Sequence, residues 1–167
     1  MKMPICDTCL KTNTLCKVCN EKLKRREITK LDIELARTLY SIDRDYKLGD
    51  ITFKKSVESD GLIIMIVGKG DVGSTVGRGG KVIRVLRRKF NKRIRVVEDT
   101  DDLKKLVGEL IHPARITGVN IVYPVSGDAI NKIRVDKASK DKMPIDASVI
   151  ENAVRKIIKK DIEIVFE

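Results

Sequence analysis

The 167-residue sequence has no tryptophan, one histidine, three Tyr and three Phe. So few rings argue against a module that holds nucleobases chiefly by stacking. His112 stands before a proline with no serine or cysteine nucleophile signature beside it, so nucleophilic or acid–base catalysis finds little support and no enzyme is expected. The longest purely apolar run, Leu62 to Val67, falls far short of the ~20 residues that cross a bilayer. Met1 to Leu10 lacks an apolar stretch followed by a small-residue cleavage site, so no secretory signal is expected and the cytoplasm is the expected compartment. With 42% apolar residues the chain is not of the disordered class and suits one compact domain or two small ones.

Acid is missing where base is densest. Val72 to Val97 holds nine Lys or Arg and no Asp or Glu, while the other 26 basic and 24 acidic residues nearly balance. A one-sign block on a folded domain is the footprint expected for a polyanion partner, because neutralised phosphates release counterions. A merely solvated basic face is the alternative.

Periodicity predicts a mixed chain. Ile28, Leu31, Leu35, Leu39, Ile42 and Tyr46 recur at helical steps, with Thr29 and Asp32 spaced as a capping box. Ile51, Phe53 and Val57 alternate, and after Ser59-Asp60-Gly61 the run Leu62 to Val67 reads as a buried partner strand. A glycine-rich stretch, Gly68 to Gly80, precedes a basic helix carrying Val82, Ile83, Leu86 and Phe90 on one face, and Ile94, Val96 and Val97 form a strand. Then come a helix over Asp101 to Ile111, a hairpin of Ile116 to Tyr123 with Ile130 to Val135, a helix carrying Val149, Ile150, Ala153, Val154, Ile157 and Ile158, and a last strand with Ile162, Ile164 and Phe166. The order helix, hairpin, helix, strand thus occurs twice, which predicts two copies of one unit, each a helix packed on a small three-stranded sheet. The expected divisions are 1–24, 25–113 and 114–167.

The most informative string is Val76-Gly77-Arg78-Gly79-Gly80-Lys81-Val82-Ile83. Glycines allow a sugar-phosphate chain to approach without a Cβ in the way, the start of the next helix suits a phosphate oxygen, and Arg78 and Lys81 add charge. Gly68-Lys69-Gly70-Asp71-Val72-Gly73 spells G-x-G-x-x-G after a strand, but glycines interrupt the long helix that a dinucleotide site requires. A Walker loop is absent, since Thr75 and Val82 stand where Gly and Ser or Thr are needed. Gly77-x-x-Gly80 between aliphatic residues is similar to the KH signature, a loop that clamps about four nucleotides of backbone. Together with Gly70 to Gly73, Ile94-Arg95-Val96-Val97-Glu98 and Pro113-Ala114-Arg115-Ile116, it makes residues 29 to 124 resemble the archaeal NusA-like proteins. That resemblance implies an α/β (α+β) fold of two tandem KH-like units. It also implies an RNA groove for which Val76, Gly77, Arg78, Gly79, Gly80, Lys81, Val82, Ile83, Arg84, Arg87 and Arg88 are candidates. Val76, Val82 and Ile83 are equally candidates for the core. In the second unit, Asp136 to Pro144 has no glycine, so a second clamp is expected to be missing.

Cys6-x-x-Cys9 and Cys16-x-x-Cys19 lie in a segment too poor in large apolar residues to build a core alone. Each pair can put two thiolates on one metal, and four complete a tetrahedral site. A structural Zn²⁺ is expected, with iron or disulfides as alternatives. The overall expectation is a single-stranded RNA-binding protein without catalysis, with a role in transcription elongation, pausing or termination implied by the resemblance. The rival reading is an adaptor whose knuckle and helix 29–47 dock on RNA polymerase or an RNA-processing complex.

Overall fold

A computed structural model describes all residues, 1–167, as a mixed α/β protein with two three-stranded sheets. Two compact units emerge, residues 1–56 with 63–99, and residues 57–62 with 100–167.

The first unit opens with two short helices, α1 (Asp7–Lys11) and α2 (Lys17–Lys24), followed by α3 (Lys30–Tyr46). The capping box forms: Thr29 Oγ1 accepts from Asp32 N–H and Asp32 Oδ2 accepts from Thr29 N–H. Asp32 is also buried, and its Oδ1 accepts from both the backbone and the hydroxyl of Ser56, so one carboxylate caps the helix and pins it to the sheet. β1 (Phe53–Ser59) and β2 (Leu62–Val67) meet at Asp60-Gly61, both at positive φ, as the twist of a two-residue hairpin requires. β2 is the middle strand and is buried throughout, which explains its unbroken apolar run. α4 (Val72–Val76), a 3-10 turn at Arg78–Gly80 and α5 (Lys81–Phe90) lead into β3 (Arg93–Glu98). With only five residues in α4, no dinucleotide-type helix follows Gly68 to Gly73.

The cysteine segment is not a separate body. Ile5, Cys9, Leu10 and Cys19 join Leu35 and Leu39 in one buried cluster, and Arg37 of α3 donates to the carbonyls of Cys9 and Thr14. Lys2 bridges Thr52 beside β1. Residues 1–24 therefore fall within the first compact unit, because their few apolar side chains complete a core that they share with α3. The apolar face of α3, invoked above for docking, is occupied: Leu35 and Leu39 are fully buried and Leu31 half-buried. Any docking by helix 29–47 would therefore use its exposed Tyr40 and Tyr46 and not its leucine face.

The second unit holds α6 (Leu103–Ile111), β4 (Ile116–Val122), β5 (Ile130–Val135), α7 (Ala147–Ile158) and β6 (Asp161–Phe166). Asp102 caps α6 through Lys104 and Lys105 N–H. By contacts α6 groups with the second sheet, since Leu106, Val107, Leu110 and Ile111 are fully buried and α6 packs on α7 and β4. The compact units thus divide near residue 100, earlier than the expected 113/114. β4 and β5 pair antiparallel, β5 and β6 parallel, in the strand order that the first sheet also has.

Candidate functional site

Gly77, Gly79 and Gly80 all have positive φ, at 81°, 62° and 76°. They serve differently. A Cβ on Gly77 would lie 2.6 Å from Val82 Cγ2 and 2.8 Å from Val82 N, whereas one on Gly79 would meet nothing within 4 Å. Gly77 folds the loop against α5, and Gly79 leaves its crest open to an approaching backbone.

Two of the first amides of α5 are used internally. Gly80 N–H donates to Gly77 O and Lys81 N–H to Arg78 O. The 3-10 turn takes these two donors, so an anion at the helix start would meet fewer amides than expected, together with the side-chain charge. Arg78, Lys81, Arg84, Arg87 and Arg88 are exposed. Arg84 reaches back to Gly79 O at 2.7 Å and Arg87 to Ile94 O at 3.0 Å, which fixes two guanidinium planes beside the crest and along β3. Val76, Gly77 and Gly80 are half-buried, while Val82 and Ile83 lie in the core. The apolar surface left beside the loop is that of half-buried Val72 and Val76 on α4 and Val96 on β3. Arg95, overlooked in the sequence, extends the basic surface onto β3. Burial, and next the charge of Arg87, push its pKa down. Its alternation with Arg93 on a strand was the available signal.

Where the first unit has its glycine loop, the second has a 3-10 helix, Lys137–Lys142, with Asp136 accepting from Ala138 N–H. Lys140 sits over the Phe166 ring at 5.2 Å. No glycine crest stands there.

At the N-terminus, each C-x-x-C pair begins a helix: Cys6 and Cys16 are the N-caps of α1 and α2. This spacing turns both sulfurs of each pair toward one point, and all four lie within 4.8 Å of one another. Tetrahedral thiolates at about 2.3 Å from a metal would be about 3.8 Å apart, and Cys6 Sγ is 3.5 Å from Cys9 Sγ and 3.9 Å from Cys16 Sγ. Backbone N–H groups of Cys6, Cys16 and Cys19 donate to Cys19, Cys9 and Cys16 sulfurs, the support that thiolate ligands need. Burial pushes the Cys9 thiol up to about 12 and also raises Cys19, whereas backbone donation from Cys19 lowers Cys16 to about 7. Two buried sulfurs that resist ionisation unaided, in a closed four-sulfur set, fit a cation as the missing charge. The four cysteines can hold a metal ion.

No helix is long and apolar enough to cross a membrane. No protein-family model matches the chain. The chain is similar to "Probable transcription termination protein NusA" of Methanocaldococcus jannaschii, 28% identical over 90 residues, 54% of this chain and 49% of the relative. The protein of the same name from Methanococcus vannielii is 31% identical over 80 residues, 48% of this chain and 46% of the relative. The match thus spans about half the length of each relative. The crystal structure of APE1850 shares the fold, with a TM-score of 0.57 and 23% identity, covering 77% of this chain and 96% of that one.

Proposed function

We propose that this NusA-like chain binds single-stranded RNA through the Gly77–Gly80 loop and α5 of its first unit, and that it acts in transcription elongation or termination. The observation that carries the reading is the open Gly79 crest, flanked by exposed Arg78, Lys81, Arg84, Arg87 and Arg88 in a stretch with no acid. The process rests on the relatives' names. The two units are read as KH-like, the first with its clamp. Phosphates would lie along the crest and the exposed cations, with bases against Val72, Val76 and Val96. Val82 and Ile83 would support that wall from the core.

The cysteine cluster is read as a structural Zn²⁺ site with Cys6, Cys9, Cys16 and Cys19 as ligands. Zinc, when bound, would offset two of the four thiolate charges, leave the rest to the backbone N–H donors, and lock α1 and α2 against α3. No catalytic step is assigned, and the cytoplasm, where transcription occurs, is the proposed compartment.

The test is fluorescence anisotropy of short random single-stranded RNA with wild type and an Arg78→Asp/Gly79→Asp variant. Residue 79 is in the left-handed helical region, where Asp is tolerated, so the variant should fold. Loss of binding by the variant supports the reading, and equal binding by both overturns it.

A further inference from the structure

Five of the chain's eight exposed large apolar side chains fall within residues 119–125: Val119, Ile121, Val122, Tyr123 and Val125, with Tyr123 78% and Ile121 55% exposed. They lie on or just beyond β4, which has β5 on one side and no strand on the other. Val119, Ile121 and Tyr123 alternate onto the face of buried Ile133, and Val122 points to the opposite face. The strand is therefore apolar on the Ile133 face, with Val122 alone beside Asn120 on the other, along an open backbone edge.

Usual protections are lacking. From Ile116 to Ser126 no residue is charged, the register irregularity sits at Ile116/Gly118, and Pro124 comes only after the strand ends. An unblocked edge of this kind is a template for another strand. Lys132 and Arg134 of β5 lie opposite Asn120 and Gly118, so a phosphate would find charge beside the strip, but RNA would leave the row of open strand N–H and C=O groups unpaired. A polypeptide strand would pair the edge and cover both faces.

We propose that the occupant is a second copy of this chain, joined β4 to β4 about a two-fold axis at Ile121 to make one six-stranded sheet. The chain carries +11, so two copies repel across most of their surfaces, and least at the uncharged strip. The pairing itself favours this partner. Opposed residues of an antiparallel pair share a face, so an axis at Ile121 sets Ile121 against Ile121 of the second copy, Val119 against its Tyr123, and Asn120 against its Val122. Each exposed apolar residue of the strand then meets a mate, including an aromatic–β-branched pair, and no charge faces a charge. An axis at Asn120 would waste Tyr123 on Thr117.

A single strand edge buries little area, so affinity is set in the range of weak complexes, with Kd on the order of 10–100 μM. Sedimentation equilibrium of the full chain without RNA should show the mass rising from 18.8 kDa toward twice that over this range. Added salt should strengthen association, because it screens the net charge. Ile121→Lys, which puts two cations face to face, should leave a monomer. Val119→Lys and Tyr123→Glu should each weaken the dimer. The double variant should restore it, since the ammonium introduced at position 119 would then face the carboxylate introduced at position 123 of the other copy, once on each side of the axis. Circular dichroism would confirm that these surface variants are folded. A wild type that stays monomeric at about 1 mM, a dimer that survives Ile121→Lys, or a double variant no better than the singles would each overturn the proposal.

Discussion

Alanine at Gly77 and alanine at Gly79 should fail in different ways. Gly77 has φ 81° and ψ 160°, a region essentially confined to glycine that costs a side chain of order 1–3 kcal/mol. Its Cβ would also press on Val82 Cγ2 and on the Val82 backbone nitrogen, and α5 begins too close by for the chain to give way. We expect about 3 kcal/mol in all, which for a protein of this length lowers Tm by roughly 6–12 °C. Gly79 sits at φ 62° and ψ 20° with open space beyond. Alanine there should cost about 1 kcal/mol and roughly 2–4 °C. That new methyl group stands where a sugar-phosphate backbone must come close, so RNA affinity should fall about tenfold, equivalent to ~1.4 kcal/mol. Scanning calorimetry and RNA anisotropy on both variants read the two effects separately. Equal losses of Tm, or a Gly79→Ala variant that binds as wild type does, would refute the division of labour between the two glycines.

If the cysteines hold a metal, stripping it with a strong chelator should loosen α1 and α2 against α3, because coordination would add on the order of 10 kcal/mol of folding free energy to the shared core and the Arg37 hydrogen bonds. Amide exchange in residues 5–24 and a cobalt-substitution spectrum would show it, and unchanged protection would contradict a structural metal. Since burial keeps the Cys9 thiol protonated up to about 12, loading must expel its proton. Apparent metal affinity should therefore rise with pH, and a flat profile between about pH 6 and 8 would count against thiolate ligation. Asp32→Ala removes the carboxylate half of the α3 capping box and strands the Ser56 donors, for an expected loss of about 3 kcal/mol in denaturant titration. A loss below about 1 kcal/mol would mean that water replaces the carboxylate. If four cations touch phosphate, log K should fall with log salt at a slope near roughly −3, about 50-fold between 50 and 200 mM. A slope near zero would exclude backbone contacts.

Local features were readable in the residues. The Thr29/Asp32 box, the Asp60-Gly61 turn and the doubled order of elements all follow from rules spanning a few residues, and they appear in the structure as expected. The cysteine cluster was equally plain, since C-x-x-C sets its geometry within one helical turn. What escaped depends on distant packing. No local rule tells that Asp32 Oδ1 will meet Ser56, or that Arg37 will hold the cysteine loop by two carbonyls. The apolar strip of β4 reads as core in the sequence because alternation says which residues share a face, not whether anything covers it. Likewise Val82 and Ile83 fit groove and core patterns alike, and their burial distinguishes the two only in three dimensions.

The central claim, RNA held at the glycine crest of the first unit, is tested most directly by amide chemical shifts of the metal-loaded chain titrated with a short single-stranded RNA. Binding as proposed predicts that the largest shifts fall on residues 72–88 and on β3, with the 3-10 turn at Lys137–Lys142 left unmoved. Shifts confined to the second unit or to the cysteine segment, with Gly77 to Lys81 silent, would contradict it.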